Sequence, residues 1–173
     1  VHERLKRKYP QIDDLRVVRK FPNQISVLAK ERLPFAQTII NDKVLTIDDH
    51  GVILSTTSKR DKRLPYIEGL EDKNHLYALG HPLTGTKILV GLSYVRYFVA
   101  NRQLDNHLIQ TINVSNLSQV EMLVDNGLMI LLDRDNIERK MKVLGVVLAQ
   151  KNLDFSQIRY IDLRFKEPII GKK

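Results

Sequence analysis

Residues 120–132 read VEMLVDNGLMILL, and this stretch decides the fold class of the chain. Two apolar runs, 120–124 and 128–132, flank the tripeptide Asp125-Asn126-Gly127. Asn-Gly between apolar runs is the strongest short signal for a β-hairpin, because both residues tolerate the positive φ that a tight turn requires. The stretch therefore predicts two antiparallel strands joined by a short turn.

Helical periodicity appears on both sides of this hairpin. A helix is predicted between residues 83 and 104, because apolar side chains recur there at helical spacing, at Ile88, Leu92, Val95 and Val99. Thr84 or Thr86 is the expected N-cap of this helix. A second helix is predicted to begin near Asp135, where Glu138 completes a capping box and apolar residues follow at helical spacing.

Short strands account for most of the remaining chain. Alternating or β-branched runs predict strands at 15–21, 24–30, 44–47, 52–54, 107–114 and 158–165. Residues 1–9 resemble the end of an amphipathic helix, and the polar run 55–63 is expected to be a loop. Hairpins dominate this pattern, and the two helices are set apart from them. The pattern therefore predicts an α+β fold with a mainly antiparallel sheet.

Composition excludes several classes of protein. Hydrophobic residues make up 43% of the 173, which is typical of a globular domain, and Lys and Arg outnumber Asp and Glu by 28 to 20. The net charge of +8 favours contact with anionic partners, although a solubilising surface explains it as well. The absence of cysteine excludes a disulfide framework, a thiolate metal site and a cysteine nucleophile.

No constellation of catalytic residues is evident, and the chain is predicted not to be an enzyme. The five histidines are isolated in sequence, and none has the spacing of a metal site. The acidic pair Asp48-Asp49 is expected to stabilise a turn, and Asp133 and Asp135 to cap a helix, so neither predicts a metal. Residues 80–87 do not fit the phosphate-loop pattern. No cofactor, small-molecule substrate or nucleic acid is expected, since the basic clusters lack interleaved aromatic residues.

Four motifs in order resemble a known family. They are VRKFPNQISV at 18–27 followed by ERLPFA at 31–36, LTIDDHGVI at 45–53, LPYIEG at 64–69 and YIDLRF at 160–165. Together they resemble the FtsQ/DivIB family of bacterial cell division proteins, in which a POTRA domain precedes a larger β domain. The resemblance covers nearly all of the chain, but the first strand and helix of a POTRA domain are missing.

The resemblance implies an organisation and a location. Residues 1–40 would be the partial POTRA-type domain, and residues 41–173 the FtsQ-type β domain with two helices. The protein would be a single-pass protein of the bacterial inner membrane, with this portion outside the cytoplasm and its anchor outside the given sequence. It would bind FtsB (DivIC) and FtsL, and thereby help to control septal peptidoglycan synthesis.

A partner site is predicted at the end of the chain. An unpaired sheet edge can accept a strand from another protein, and residues 158–165 are expected to provide that edge. Arg164 and Phe165 are the expected anchors, because Arg and aromatic residues are enriched in binding hot spots. The predicted partner-binding residues are Tyr160, Asp162, Arg164, Phe165, Glu167, Ile169 and Ile170. The alternative is a POTRA-type domain that binds clients of outer-membrane assembly or secretion.

Overall fold

The computed structural model describes residues 9–70, 77–125, 127–150 and 153–173. The helix predicted at residues 1–9 falls almost wholly on 1–8, which lie outside the described residues, as does Asn126 of the central turn. Within the described residues, two strands form a separate hairpin, β1 (Ile12–Lys20) and β2 (Gln24–Glu31), joined through a cis bond between Phe21 and Pro22. This confirms the two strands predicted around Phe21-Pro22-Asn23.

The other nine strands form one mixed sheet in the order β11-β10-β9-β8-β7-β6-β3-β4-β5. Their bounds are β3 (Ala36–Ile40), β4 (Lys43–Ile47), β5 (Ile53–Thr57), β6 (Tyr66–Glu68), β7 (Ile109–Asn113), β8 (Val120–Val124), β9 (Leu128–Leu132), β10 (Ile158–Asp162) and β11 (Ile169–Lys172). Parallel pairs join β3 to β6, β6 to β7 and β9 to β10, whereas the other neighbours are antiparallel. The predicted hairpin of β8 and β9 is confirmed.

In the described part of the chain, two α-helices contribute to the core, α1 (Thr86–Val99) and α2 (Ile137–Leu148). One row of paired, fully buried residues crosses the sheet from β10 to β6, namely Ile161, Ile130, Met122, Ile112 and Ile67. Helix α1 packs closely on this row, because a Cβ added at Gly91 would lie 2.9 Å from Ile67 Cγ2. The core therefore lies between the helices and this face of the sheet. Burial of each such aliphatic side chain stabilises the fold by about 1.5–3 kcal/mol relative to its exposure.

Both predicted helix caps are wrong. Helix α1 has Gly85 at its N-cap position, with φ of 117° and no capping side chain, in place of Thr84 or Thr86. Helix α2 begins after Asn136, which has φ of 52°, so Asp135 lies outside it. The backbone amide of Asp135 instead donates a hydrogen bond to the Asp133 carboxylate at 2.7 Å. The turn before each helix, and not a hydroxyl or carboxylate cap, sets where the helix starts.

Three element boundaries also differ from the expectation. Strand β5 extends to Thr57, into the run predicted as a loop, because Thr56 and Thr57 pair with β4. Helix α1 ends at Val99, and this residue is exposed although it was expected in the apolar stripe of the helix. The last predicted strand, 158–165, ends at Asp162, and the chain leaves the sheet there because Asp162 binds the Arg164 amide and guanidinium.

The predicted division into domains 1–40 and 41–173 stays a prediction. The hairpin of β1 and β2 is a separate sheet, and Arg32 connects it to the larger one through ion pairs with Asp13 at 3.1 Å and Asp48 at 2.6 Å. Strand β3, which ends at residue 40, pairs with β4 and β6 inside the nine-stranded sheet. Residues 36–40 therefore share a sheet with the strands that the prediction placed in the second domain.

Candidate functional site

The end of the sheet at β11 is the candidate partner site. Strand β11 pairs only with β10 in the described part of the chain, so its outer side has no neighbouring strand. The prediction that residues 158–165 form the edge is wrong by one strand, because β10 lies between β9 and β11. All seven predicted partner-binding residues lie in β10, in β11 or in the turn between them.

The exposed members of this group are apolar or acidic. Phe165 is 56% exposed in the turn, and Ile169 is 47% exposed at the start of β11. Glu167 is exposed between them, whereas Ile170 is half-buried against the core. Large exposed apolar side chains beside an unpaired strand offer both backbone hydrogen bonds and side-chain contacts to an added strand.

The remaining three residues hold the turn and the strand pair together. Asp162 is 4% exposed and accepts three hydrogen bonds from the Arg164 guanidinium, at 3.0 Å to Oδ1 and at 3.2 Å and 2.6 Å to Oδ2. Burial by itself raises the pKa of Asp162, but the hydrogen bonds and positive charge of Arg164 outweigh it, so this pKa lies below its ordinary value. The assignment of Asp162 to the partner site stays a prediction, and its buried carboxylate indicates a role in holding the turn.

Tyr160 contacts a residue that the sequence analysis did not include. It is half-buried and pairs with Gly171 across β10 and β11, and a Cβ at Gly171 would lie 2.3 Å from Tyr160 Cε1. The ring therefore occupies the space of a side chain at Gly171. The sequence signal was the glycine at the third of the four positions of β11. Glycine inside a strand often marks a place where another group approaches the backbone closely.

Two basic residues of α2 connect the helix to its surroundings, Arg139 to the turn between β10 and β11 and Lys140 to the segment before α2. Arg139 donates to the backbone carbonyl of Lys166 at 2.9 Å. Lys140 is buried, and its Nζ binds the Asp133 carboxylate and the Asp135 carbonyl. The sequence signal for Lys140 was its place within the apolar stripe of α2, four residues before Leu144.

The group of residues best suited to hold a metal lies elsewhere. Within the described residues, Asp48, Asp49 and His50 have ligand atoms within 4.8 Å of one another. The Asp48 carboxylate already accepts the amides of His50 at 2.9 Å and Val52 at 2.7 Å, together with Arg32. This confirms the predicted role of Asp48 in stabilising a turn.

The comparisons with known proteins agree on one family. The model of the C-terminal domain of the cell division protein FtsQ/DivIB matches residues 38–164. Cell division protein DivIB of Clostridium tetani is 22% identical over 93% of this chain and 62% of its own length. Cell division protein FtsQ of Koribacter versatilis is 24% identical over 93% of this chain and 46% of its length. The chain thus spans roughly half to three fifths of these two relatives.

A solved structure is also similar. The major extracytoplasmic domain of the trans isomer of DivIB from Geobacillus stearothermophilus matches with a TM-score of 0.38 and 11% identity, over 72% of this chain and 99% of that chain. Among the described residues, no helix has the length and apolar character needed to cross a membrane. Membership rests on the family model, which matches more than half of the sequence. The chain belongs to the FtsQ/DivIB family of cell division proteins.

Proposed function

We propose that this chain is the extracytoplasmic part of a divisome scaffold, which binds other proteins at the β11 edge and has no catalytic role. FtsB/DivIC-like and FtsL-like proteins are the proposed partners, and control of septal peptidoglycan synthesis is the proposed consequence. The observation that carries the proposal is the unpaired outer side of β11 beside the exposed Phe165 and Ile169.

Strand addition suits this edge for two reasons. Strand β11 is four residues long and held by pairing with β10, so its backbone is already extended when a partner arrives. Little conformational entropy remains to be lost on the receptor side, which favours binding. The neighbouring turn is held by Asp162 with Arg164 and by Arg139 with the Lys166 carbonyl, so Phe165 keeps a fixed position.

The proposed residues have different tasks. Phe165, Glu167 and Ile169 are exposed and would contact the partner directly. Tyr160, Asp162, Arg164 and Ile170 would position the edge, because they are buried or engaged with neighbouring residues. Arg164 also lies near the Phe165 ring, with its Cζ 5.8 Å from the ring centroid.

Titration of the chain with the extracytoplasmic segment of an FtsB/DivIC-like protein tests the proposal. Ile169→Asp is expected to weaken binding at least about tenfold, because it places a charge against the added strand. Ile39→Asp is the matched control, since Ile39 is 44% exposed, close to the 47% of Ile169, and lies on β3 across the sheet. Phe165→Ala is expected to weaken binding as well.

Hydrogen exchange of the complex adds a second measurement. The backbone amides of residues 169–172 are expected to gain protection when the partner segment is bound. Wild-type affinity of both Ile169→Asp and Phe165→Ala, with no added protection in β11, would reject this edge as the partner site.

A further inference from the structure

We infer that the groove between α1 and α2 is a second docking surface, which binds an acidic amphipathic helix of another protein. It is separate from the β11 edge and has its own chemistry. The groove consists of two adjoining depressions of 610 Å³ and 320 Å³, which share Tyr97, Glu138 and Lys142. Below, "helix groove" means the surface lined from Ser93 to Arg102 on one side and from Arg134 to Lys142 on the other.

The two helices that form the helix groove run in the same direction. The Tyr94 hydroxyl donates to the Asp133 carbonyl just before α2, and the Asn101 amide donates to the Met141 carbonyl at 2.9 Å in the middle of α2. Side by side and parallel, the helices leave a channel along Ser93 to Val99, where α1 ends, which is about 9 Å at about 1.5 Å per residue, and Arg102 lies beyond that end. Two packed helices are the ordinary receptor for a third helix.

Positive charge lines this channel. Arg102, Arg134, Arg139 and Lys142 surround it, and Glu138 is the acidic residue in its lining. Lys142 pairs with Glu138 at 2.7 Å, and Arg139 holds the Lys166 carbonyl. Arg102 and Arg134 are exposed, and in the described part of the chain their guanidinium groups have no carboxylate partner. The groove therefore has cationic side chains available for carboxylates of a ligand.

Apolar surface lies between these charges. Tyr97 is 38% exposed in the shared part of the helix groove, Ile137 is half-buried at one end, and Met141 closes the floor. Leu89 and Val146, 58% and 54% exposed, continue the same helix faces one turn beyond the lining residues. Tyr97 and Ile137 among the cations, with Leu89 and Val146 beyond the opposite ends of the lining, match a helix that has an apolar ridge flanked by Glu or Asp.

Other anionic ligands fit less well. A flat bilayer contacts the residues that project furthest from a protein, whereas these cations line two open depressions with Tyr97 between them. An anionic polymer without apolar groups would leave Tyr97, Leu89 and Val146 without a contact. These apolar side chains are thus the observation that favours a protein helix over a phosphate polymer or a membrane.

The probe for the test is a synthetic peptide of about 18 residues, roughly five helical turns, with Leu at i, i+3, i+4 and i+7 spacing and Glu on both sides. A peptide of the same composition in scrambled order is its control. Polyphosphate and vesicles of phosphatidylglycerol represent the two other classes of ligand. Binding is measured by titration calorimetry, and the site by chemical-shift changes of the amides of residues 93–102 and 134–142.

Charge reversal separates the helix groove from the general positive charge of the protein. The double variant Arg102→Glu, Arg134→Glu is expected to lower the affinity for the amphipathic peptide at least about tenfold. The double variant Lys59→Glu, Lys62→Glu changes the net charge by the same amount at an exposed loop. It is expected to change the affinity for the peptide less than about twofold. Glu138→Gln, which removes the acidic lining residue, is expected to raise the affinity.

Several outcomes would overturn the inference. An equal loss of affinity in both double variants would mean that net charge alone drives binding. Equal affinity for the scrambled peptide would remove the amphipathic helix as the ligand. Binding of polyphosphate or vesicles that depends on Arg102 and Arg134, without binding of the peptide, would assign the helix groove to that other ligand. The Ile169→Asp variant, in contrast, is expected to bind the amphipathic peptide with wild-type affinity, because the β11 edge is a separate surface.

Discussion

Single residues at the C-terminal edge decide where strand β10 ends and where the Tyr160 ring packs. Gly171 leaves room for the Tyr160 ring, and Asp162 ends β10 by binding the amide and guanidinium of Arg164. Neither task is visible in a hydrophobic pattern, because one is a close approach and the other a local turn. Both fix the position of Phe165 and Ile169 at the proposed partner site.

Gly171→Ala is expected to destabilise the edge strand. A Cβ at this position would lie 2.3 Å from Tyr160 Cε1 and 2.5 Å from Cζ, so the ring must move out of its place over β11. The expected loss is about 1–3 kcal/mol in the free energy of unfolding, as for other overpacked sites. Denaturant unfolding measures it, with Lys172→Ala as the neighbouring control. Equal stability of the two variants would show that the ring relaxes freely.

The Asp162–Arg164 pair makes the edge sensitive to acid. The pKa of Asp162 is lower in the folded chain than its ordinary value of 3.8, so its ionised form stabilises the fold. This contribution is fully present above pH 3.8 and is lost as the pH falls below that value through the folded pKa.

Asp162→Asn is therefore expected to lower the free energy of unfolding at neutral pH, by about 1.5–3 kcal/mol for a lost charged hydrogen bond. The difference from wild type is expected to shrink below pH 3.8, measured by urea unfolding as a function of pH. A difference that is constant between pH 3 and pH 7 would contradict this account of the pair.

At the scale of elements, α2 joins the core, the helix groove and the partner edge. Its buried face carries Met141 and Leu144, and the same face carries Lys140, which is 6% exposed. Lys140 binds Asp133 before the helix, while Arg139 binds the Lys166 carbonyl after β10. Tyr94 of α1 donates to the Asp133 carbonyl, and burial raises the pKa of Tyr94, which therefore stays protonated as a donor. Helix α2 is thus positioned by polar contacts at its start.

Lys140→Met is expected to destabilise the chain by about 3 kcal/mol, because it removes one partner of a largely buried ion pair and leaves Asp133 unpaired. Lys142→Met is the matched control two residues later, where the side chain is 71% exposed and its pair with Glu138 is worth less than about 1 kcal/mol. Thermal unfolding of both variants checks the contrast. Similar melting temperatures for the two would mean that the Lys140 pair contributes little.

At the scale of the whole molecule, the hairpin of β1 and β2 differs from the sheet that follows it. Among its strand residues, Leu15 is the buried apolar one, while Ile25, Val27 and Leu28 are more than half exposed. The nine-stranded sheet, in contrast, is packed against two helices. Family membership places the molecule among cell division proteins, which removes the alternative of an outer-membrane assembly domain.

Two fragments test how the chain divides. A fragment of residues 32–173 is expected to unfold cooperatively, with a loss of about 1.5–3 kcal/mol for the burial of Leu15. A fragment of residues 41–173 is expected to lose cooperative unfolding, because β3 joins β4 and β5 to the rest of the sheet through β6. Cooperative unfolding of the shorter fragment would instead support the predicted boundary at residue 40.

The sequence by itself determined the elements whose signals are local. The β8–β9 hairpin follows from Asp125-Asn126-Gly127 between apolar runs, and helices α1 and α2 follow from apolar spacing. Order and motif resemblance also led to the correct family. These signals are sufficient because turn chemistry and amphipathic periodicity act between residues that are close in the chain.

Only the tertiary structure decided the order of strands and which strand lies at the C-terminal edge. The sequence placed the edge at 158–165, but β10 pairs with β9 on one side and β11 on the other. Parallel pairing joins residues far apart in sequence, such as Tyr66 with Thr111 and Met129 with Tyr160. Such contacts depend on which surfaces are buried together, and no local pattern specifies that.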